Sequence, residues 1–70
     1  MKYTIIIEKG KNSFGAYVPD IPGLMTVAKS KNVTMQLVKE AIKQHLETLE
    51  NDGKPIPEPR SESESVEVEI

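Results

Sequence analysis

The residues whose side chains could do chemistry are few and scattered along this chain. His45 is the single histidine, there is no cysteine, and the four glycines are too far apart to form a phosphate-binding loop. His45 falls on the predicted apolar stripe of a helix, so we expect a packed or half-buried structural histidine. Asp20 lies in a loop with two prolines, where we expect it to cap a turn. No spacing is typical of a metal site, and we expect no cofactor, no metal and no enzymatic activity.

The charged residues are divided unevenly along the sequence. Residues 1–57 hold eight Lys and six acidic residues, a net charge of +2, whereas residues 58–70 hold Arg60 and five Glu, a net charge of −4. An acidic end repels nucleic acid and attracts basic proteins. It is equally typical of a solvated tail that aids solubility, and both interpretations stay open. If the end binds a basic partner, the expected contact residues are Glu62, Glu64, Glu67 and Glu69.

The periodicity of the apolar residues predicts the elements that position these side chains. Strands are expected at about 2–8, 14–19 and 24–28, a helix at about 31–51 and a fourth strand at about 64–70. Either Ser30 or Asn32 could cap the helix. Five residues of the loops are predicted to be structural, because they constrain or free the backbone or cap it: Pro19, Asp20, Pro22, Gly23 and Gly53.

The predicted order βββαβ is an α+β fold, in which residues 1–70 form one domain. It has an antiparallel three-stranded sheet, one helix packed on the sheet and a C-terminal strand. One helix covers only one face of a sheet, and apolar residues alternate on both faces, so some apolar surface remains for another chain. We expect a homodimer or homotetramer whose interface includes Ile6, Tyr17, Met25 and Val27.

The compartment is predicted from what the sequence lacks. There is no cysteine to form the disulfides that most small secreted domains need. No apolar run approaches the ~20 residues of a membrane span, and no signal-peptide pattern follows Met1. We therefore expect a cytoplasmic protein without a membrane partner.

Three segments resemble one known family: residues 14–23 (FGAYVPDIPG), residues 40–47 (EAIKQHLE) and residues 52–59 (DGKPIPEP). With the strand at residues 3–8, they resemble the N-terminal domain of HicB antitoxins. The resemblance implies a degenerate RNase H-like fold that oligomerises through its sheet. It also implies a bacterial type II toxin-antitoxin system, in which the chain binds and blocks HicA, a small basic toxin that cleaves mRNA with its own histidine.

The sequence departs from the family pattern in ways that leave alternatives. HicB antitoxins usually continue into a DNA-binding domain, for which this sequence leaves no residues, so we expect no direct DNA binding. Leu24 stands where the family often has Cys, and Ala28 where it often has Gly. The alternative function is an orphan homo-oligomeric binding module with no toxin partner. A residual nuclease is the least favoured, because the acidic residues that hold two metals in RNase H-type enzymes are not recognisable.

Overall fold

The computed structural model describes residues 1–69, and Ile70 lies outside the described residues. Three strands and one helix are formed: β1 (Ile6–Lys9), β2 (Phe14–Tyr17), β3 (Met25–Ala28) and α1 (Lys31–Asn51). The strands form one antiparallel sheet in the order β1-β2-β3, and α1 packs against β2 and β3. The α+β class, with three antiparallel strands followed by one helix, is confirmed.

Two short connections fold the strands back on one another. Between β1 and β2, the Gly10 amide donates a hydrogen bond to the Ser13 carbonyl at 2.8 Å. Between β2 and β3, the amides of Ile21 and Leu24 each donate to the carbonyl three residues earlier, which makes two successive turns. Gly23 has a φ of 83° in this loop. A residue with a Cβ rarely adopts that angle, so this position favours glycine.

The first two strands are shorter than the apolar alternation predicts. β1 begins at Ile6, where a start near residue 2 is predicted, and β2 ends at Tyr17, where an end near residue 19 is predicted. Ile6 and Tyr17 are the last pair of this ladder. Beyond them Val18 enters the loop, and Pro19 has no amide hydrogen with which to continue the ladder. Residues 2–5 therefore have no strand opposite them.

Capping residues define both ends of the helix. Ser30, and not Asn32, is the N-cap, since its hydroxyl accepts a hydrogen bond from the Val33 amide at 3.2 Å. Past the C-terminus, Gly53 has a φ of 68°, which is the left-handed conformation that commonly ends helices. The next amide then donates back to the Leu49 carbonyl at 2.9 Å. These local signals explain why the helix begins and ends where it does.

The core is thin and lies between the sheet and the helix. The fully buried apolar residues are at most 2% exposed, and they are Ala16, Val18, Ile21 and Val38. Partly buried apolar residues pack around them: Tyr3, Ile5, Ile7, Leu24, Met35 and Ile42. Thr34 is also buried, with its hydroxyl 2.8 Å from the Ser30 carbonyl and 3.1 Å from the Phe14 carbonyl. This hydroxyl joins the first turn of α1 to β2.

The predicted fourth strand is not formed among the described residues. Residues 54–69 contain no helix or strand, and Ile70, the last residue of the predicted strand, lies outside the described part. Alternating valine and glutamate favour an extended chain, but a strand also needs a neighbour with which to share backbone hydrogen bonds. The RNase H-like topology depends on this strand and stays a prediction.

Candidate protein-interaction surface

The face of the sheet opposite α1 carries a cluster of exposed apolar side chains. Directly paired residues share a face, and Ile6 pairs with Tyr17, which pairs with Met25. The three residues therefore form a row across the sheet. Val27, which pairs with Gly15, lies beside this row. Tyr17 is 37% exposed, Val27 58% and Met25 64%. We call Ile6, Tyr17, Met25 and Val27 the open face.

The other face of the sheet lies beneath α1. Ala16 is fully buried there, and the residues paired with it, Ile7 and Thr26, are partly buried. The Thr26 hydroxyl donates to the Thr34 carbonyl of α1 at 3.2 Å. The structure thus brings the four residues of the predicted oligomer interface together on the uncovered face. Exposed apolar surface of this kind marks interaction sites in soluble proteins, and the interface itself stays a prediction.

Asp20 ties the loop between β2 and β3 to the segment that follows the helix. Its carboxylate accepts hydrogen bonds from the Ser61 hydroxyl at 2.8 Å, the Ser61 amide at 2.9 Å and the Arg60 amide at 3.0 Å. The Ser61 amide is the main cause that holds the pKa of Asp20 below its ordinary value. The sequence predicts a cap for the local turn, whereas these bonds go to residues 40 and 41 positions away.

Tyr3 and Thr4, which precede β1, also bind the segment that follows the helix. The Thr4 hydroxyl donates to the Ser61 carbonyl at 2.7 Å, and the Tyr3 hydroxyl donates to the Pro57 carbonyl. Burial, followed by the negative charge of Asp20, raises the pKa of Tyr3. We call the contacts of Tyr3, Thr4 and Asp20 with residues 57–61 the clamp. It fixes the point at which the C-terminal segment leaves the body of the molecule.

The acidic residues predicted to contact a partner follow the clamp directly. We call residues 62–69 the tail, and every residue in it is exposed. Within residues 1–69, the one ion pair joins Arg60 to Glu58 at 3.1 Å, outside the tail. The acidic side chains of the tail are thus free of ion pairs to this part of the chain, and they are Glu62, Glu64, Glu67 and Glu69.

The described residues form no recognisable catalytic arrangement. The prediction of a packed or half-buried His45 is wrong, because this residue is exposed. It lines an open groove between α1 and the loop before β3, and no other lining residue is an acid or a base that could work with it: Pro22, Gly23, Leu24, Met25, Ala41, Gln44 and Thr48. No group of three or more acidic or histidine side chains in residues 1–69 could hold a metal ion.

Sequence reasoning missed the residues that position the tail. Thr4 and Ser61 are 57 positions apart, and Tyr3 and Pro57 are 54 positions apart. Threonine, serine and tyrosine are common at surfaces, and no local spacing predicts contacts over such separations. Asp20 is the one residue whose surroundings point to a distant contact. Its carboxylate lies among prolines, which lack amide hydrogens, so it has few local donors to bind.

These features together are typical of a small protein-binding module: a half-covered sheet, an exposed acidic tail and no recognisable catalytic arrangement among the described residues. The family model described as the HicB-like antitoxin of bacterial toxin-antitoxin systems matches residues 3–69. The chain belongs to this family of antitoxins.

Relatives of similar length support the assignment of this chain to the family. A UPF0150 protein of Thermoplasma acidophilum is 36% identical over 67 residues, which cover 94% of this chain and 97% of that protein. One from Archaeoglobus fulgidus is 44% identical over 52 residues, 73% of this chain and 75% of that protein. One from Helicobacter pylori is 36% identical over 52 residues, which cover 74% of this chain and 72% of that protein. Relatives thus occur in archaea as well as bacteria, so family membership does not by itself indicate a bacterial source.

No solved structure matches the chain with significance. Within residues 1–69, no helix has the length and apolar character that crossing a membrane requires.

Proposed function

We propose that this chain is a type II antitoxin that binds and blocks a HicA-like, mRNA-cleaving toxin by covering it, without chemistry of its own. The observation that carries the proposal is the exposed acidic tail, in a chain whose residues 3–69 match the antitoxin family. The toxins that the family resemblance implies are basic RNA-binding proteins. An acidic segment can occupy the surface on which such a toxin would otherwise hold RNA.

The tail acts mainly through charge in this proposal. Its glutamates are exposed, so each contributes little to affinity by itself but strengthens the field that guides a basic partner toward the surface. Such an attraction is screened over about 8 Å at physiological ionic strength. Association should therefore slow, and binding should weaken, as salt is raised.

The test is a titration of the chain into a HicA-like protein, sought first in the neighbouring reading frame, with mRNA cleavage and complex formation followed together. We expect loss of cleavage in step with formation of a tight complex. The double variant Glu67→Gln/Glu69→Gln should raise the Kd roughly fivefold at low salt, because each exposed charge contributes about 0.5 kcal/mol.

The matched control is Glu40→Gln/Glu47→Gln, which removes the same charge from exposed positions of α1. It should change the Kd by less than about twofold. A Kd that does not depend on salt, or equal weakening by the two double variants, would refute the role of the tail. A HicA-like protein that forms no complex would refute the antitoxin proposal as a whole.

A second candidate function is an orphan homo-oligomeric module without a toxin, and the open face favours it. Four apolar side chains from three strands lie together there, of which Ile6 is partly buried and Tyr17, Met25 and Val27 are exposed. Burying such a surface in a symmetric dimer would add to a core that is thin in the single chain. Self-association is compatible with both candidates, so it is tested separately.

We expect Val27→Lys to weaken self-association, because a lysine on the open face would have to lose its water when two copies meet. The control Val33→Lys places the same change on α1, where valine is also exposed. Sedimentation velocity should show a shift toward monomer for Val27→Lys and little change for Val33→Lys. A wild-type chain that is a clean monomer at micromolar concentration would contradict the prediction.

A further inference from the structure

The tail has the side-chain pattern of a strand, yet it pairs with nothing among the described residues. Val66 and Val68 alternate with Glu67 and Glu69, which gives one apolar and one charged side in an extended chain. The two valines are 79% and 70% exposed. No hydrogen bond joins residues 62–69 to the rest of the described chain. The backbone donors and acceptors of the tail are therefore available to the edge of a sheet.

The dimensions of the molecule indicate that the tail projects from its own body. The principal extents are 49 × 26 × 17 Å and the radius of gyration is 13.9 Å, whereas a compact chain of this length has about 11 Å. The 21 residues of α1 span only about 32 Å. The clamp starts the tail between Thr4, ahead of β1, and Asp20, in the loop before β3, and no backbone hydrogen bond joins residues 62–69 to the sheet of the same copy.

The two free edges of the sheet, β1 and β3, differ in charge. β1 contains Glu8, which would repel an acidic strand, and Lys9. β3 contains no charged residue, and Lys29 and Lys31 follow it in the chain. Edge strands that are not meant to pair usually carry charges or prolines that prevent it. β3 lacks these protections, and the lysines beyond it offset the charge of the tail.

We infer that the tail of one copy adds as a fourth strand to the β3 edge of a second copy. Val66 and Val68 then extend the open face beside Met25 and Val27, and Glu67 and Glu69 lie on the other side of the added strand. Reciprocal exchange of two tails closes a twofold dimer, with affinity from backbone hydrogen bonds and specificity from alternate side chains. This inference rests on the self-association proposed above and describes how the two copies would pair.

The absence of cysteine from the chain allows a direct test by cross-linking. Val27→Cys chains are mixed with Val66→Cys chains under mild oxidation. Neighbouring residues of paired strands bring their Cβ atoms within disulfide reach. We expect mixed disulfide dimers at about tenfold the yield of a control mixture of Lys43→Cys and Val66→Cys, since pairing raises the effective concentration. Lys43 is exposed and belongs to α1, outside the sheet.

A second measurement uses the dissociation constant of the dimer from sedimentation equilibrium. Val66→Ser/Val68→Ser should raise it about tenfold or more, because two buried valines are lost. Ser63→Ala/Ser65→Ala, on the opposite side of the tail, should leave it nearly unchanged. The substituted residues of both variants lie in the exposed tail and outside the core, so we expect the sheet and the helix to fold normally.

Three results would overturn strand addition. One is a cross-link yield no higher than that of the Lys43 control, and another is an unchanged dimer after the valine replacements. The third is an intramolecular disulfide in monomeric Glu8→Cys/Val66→Cys chains, which would show that the tail pairs with its own β1. If Val27→Lys still breaks the dimer in any of these cases, self-association through the open face stands, and only the exchange of tails is refuted.

Discussion

At the scale of single residues, Asp20 decides where the tail begins. Three donors from Arg60 and Ser61 converge on its two carboxylate oxygens, and hydrogen bonds to an ionised acceptor are stronger than those between neutral groups. An asparagine has one acceptor oxygen and an amide group that donates, so it cannot accept all three. The charge of Asp20 is therefore part of the clamp.

We expect protonation of Asp20 to open its side of the clamp. The pKa of the folded carboxyl is lower than the ordinary 3.8, so its contribution to stability is fully present above about pH 3.8 and is lost as the pH falls through the lower folded value. The Ser61 amide resonance, followed by NMR, should titrate with a midpoint below 3.8.

The Asp20→Asn variant is the control for this titration. Its Ser61 amide should not follow that transition, and hydrogen exchange at Arg60 and Ser61 should be faster than in the wild type at neutral pH. A wild-type midpoint at or above 3.8 would contradict the hydrogen-bonded carboxylate in the structure.

At the scale of elements, α1 is the one element among residues 1–69 that covers the sheet. Of its 21 residues, only Thr34 and Val38 are fully buried. Val38 belongs to the core with Ala16, Val18 and Ile21. A core of so few residues gives each one a large share of the stability.

We expect Val38→Ala to lower the free energy of unfolding by about 2 kcal/mol, because two buried methyl groups are lost and a small cavity remains. Val33→Ala makes the same chemical change five residues earlier on α1, where the valine is 46% exposed. It should change stability by less than about 0.5 kcal/mol. Urea denaturation of the two variants measures both values. Equal losses would show that the packing of α1 differs from that described.

The elements differ in how far local sequence predicts them. The helix follows from its apolar stripe and from the signals at Ser30 and Gly53, both of which act within a few residues. The alternation of apolar residues predicts the existence and order of the first three strands correctly. β1 and β2 are shorter than it predicts, because Pro19 has no amide hydrogen to continue the pairing with residues 2–5. The fourth strand could not be predicted from local sequence alone. The alternation of valine and glutamate in residues 66–69 indicates a preference for an extended chain, but it does not determine which sheet edge, of the same copy or of another, is available for pairing.

At the scale of the whole molecule, sequence predicts the candidate surface only in part. A single helix can cover only one of the two faces of a sheet, so the sequence predicts that some apolar residues remain uncovered. In the structure, the uncovered face carries Ile6, Tyr17, Met25 and Val27. The clamp could not be predicted, because Tyr3, Thr4 and Ser61 meet only after both ends of the chain approach the same loop. The exposure of His45 likewise depends on how α1 lies on the sheet.

The order of the strands has a consequence for how the chain assembles. Each strand lies beside its neighbour in sequence, and the helix packs on the two strands that precede it. These contacts close short loops and can form early. The contacts of the clamp join residues 40 to 57 positions apart, with a few polar contacts near the surface against a larger entropy of closure. We therefore expect the clamp to form last and to open first, so that residues 57–61 leave the body of the molecule and return to it many times for each unfolding of the sheet.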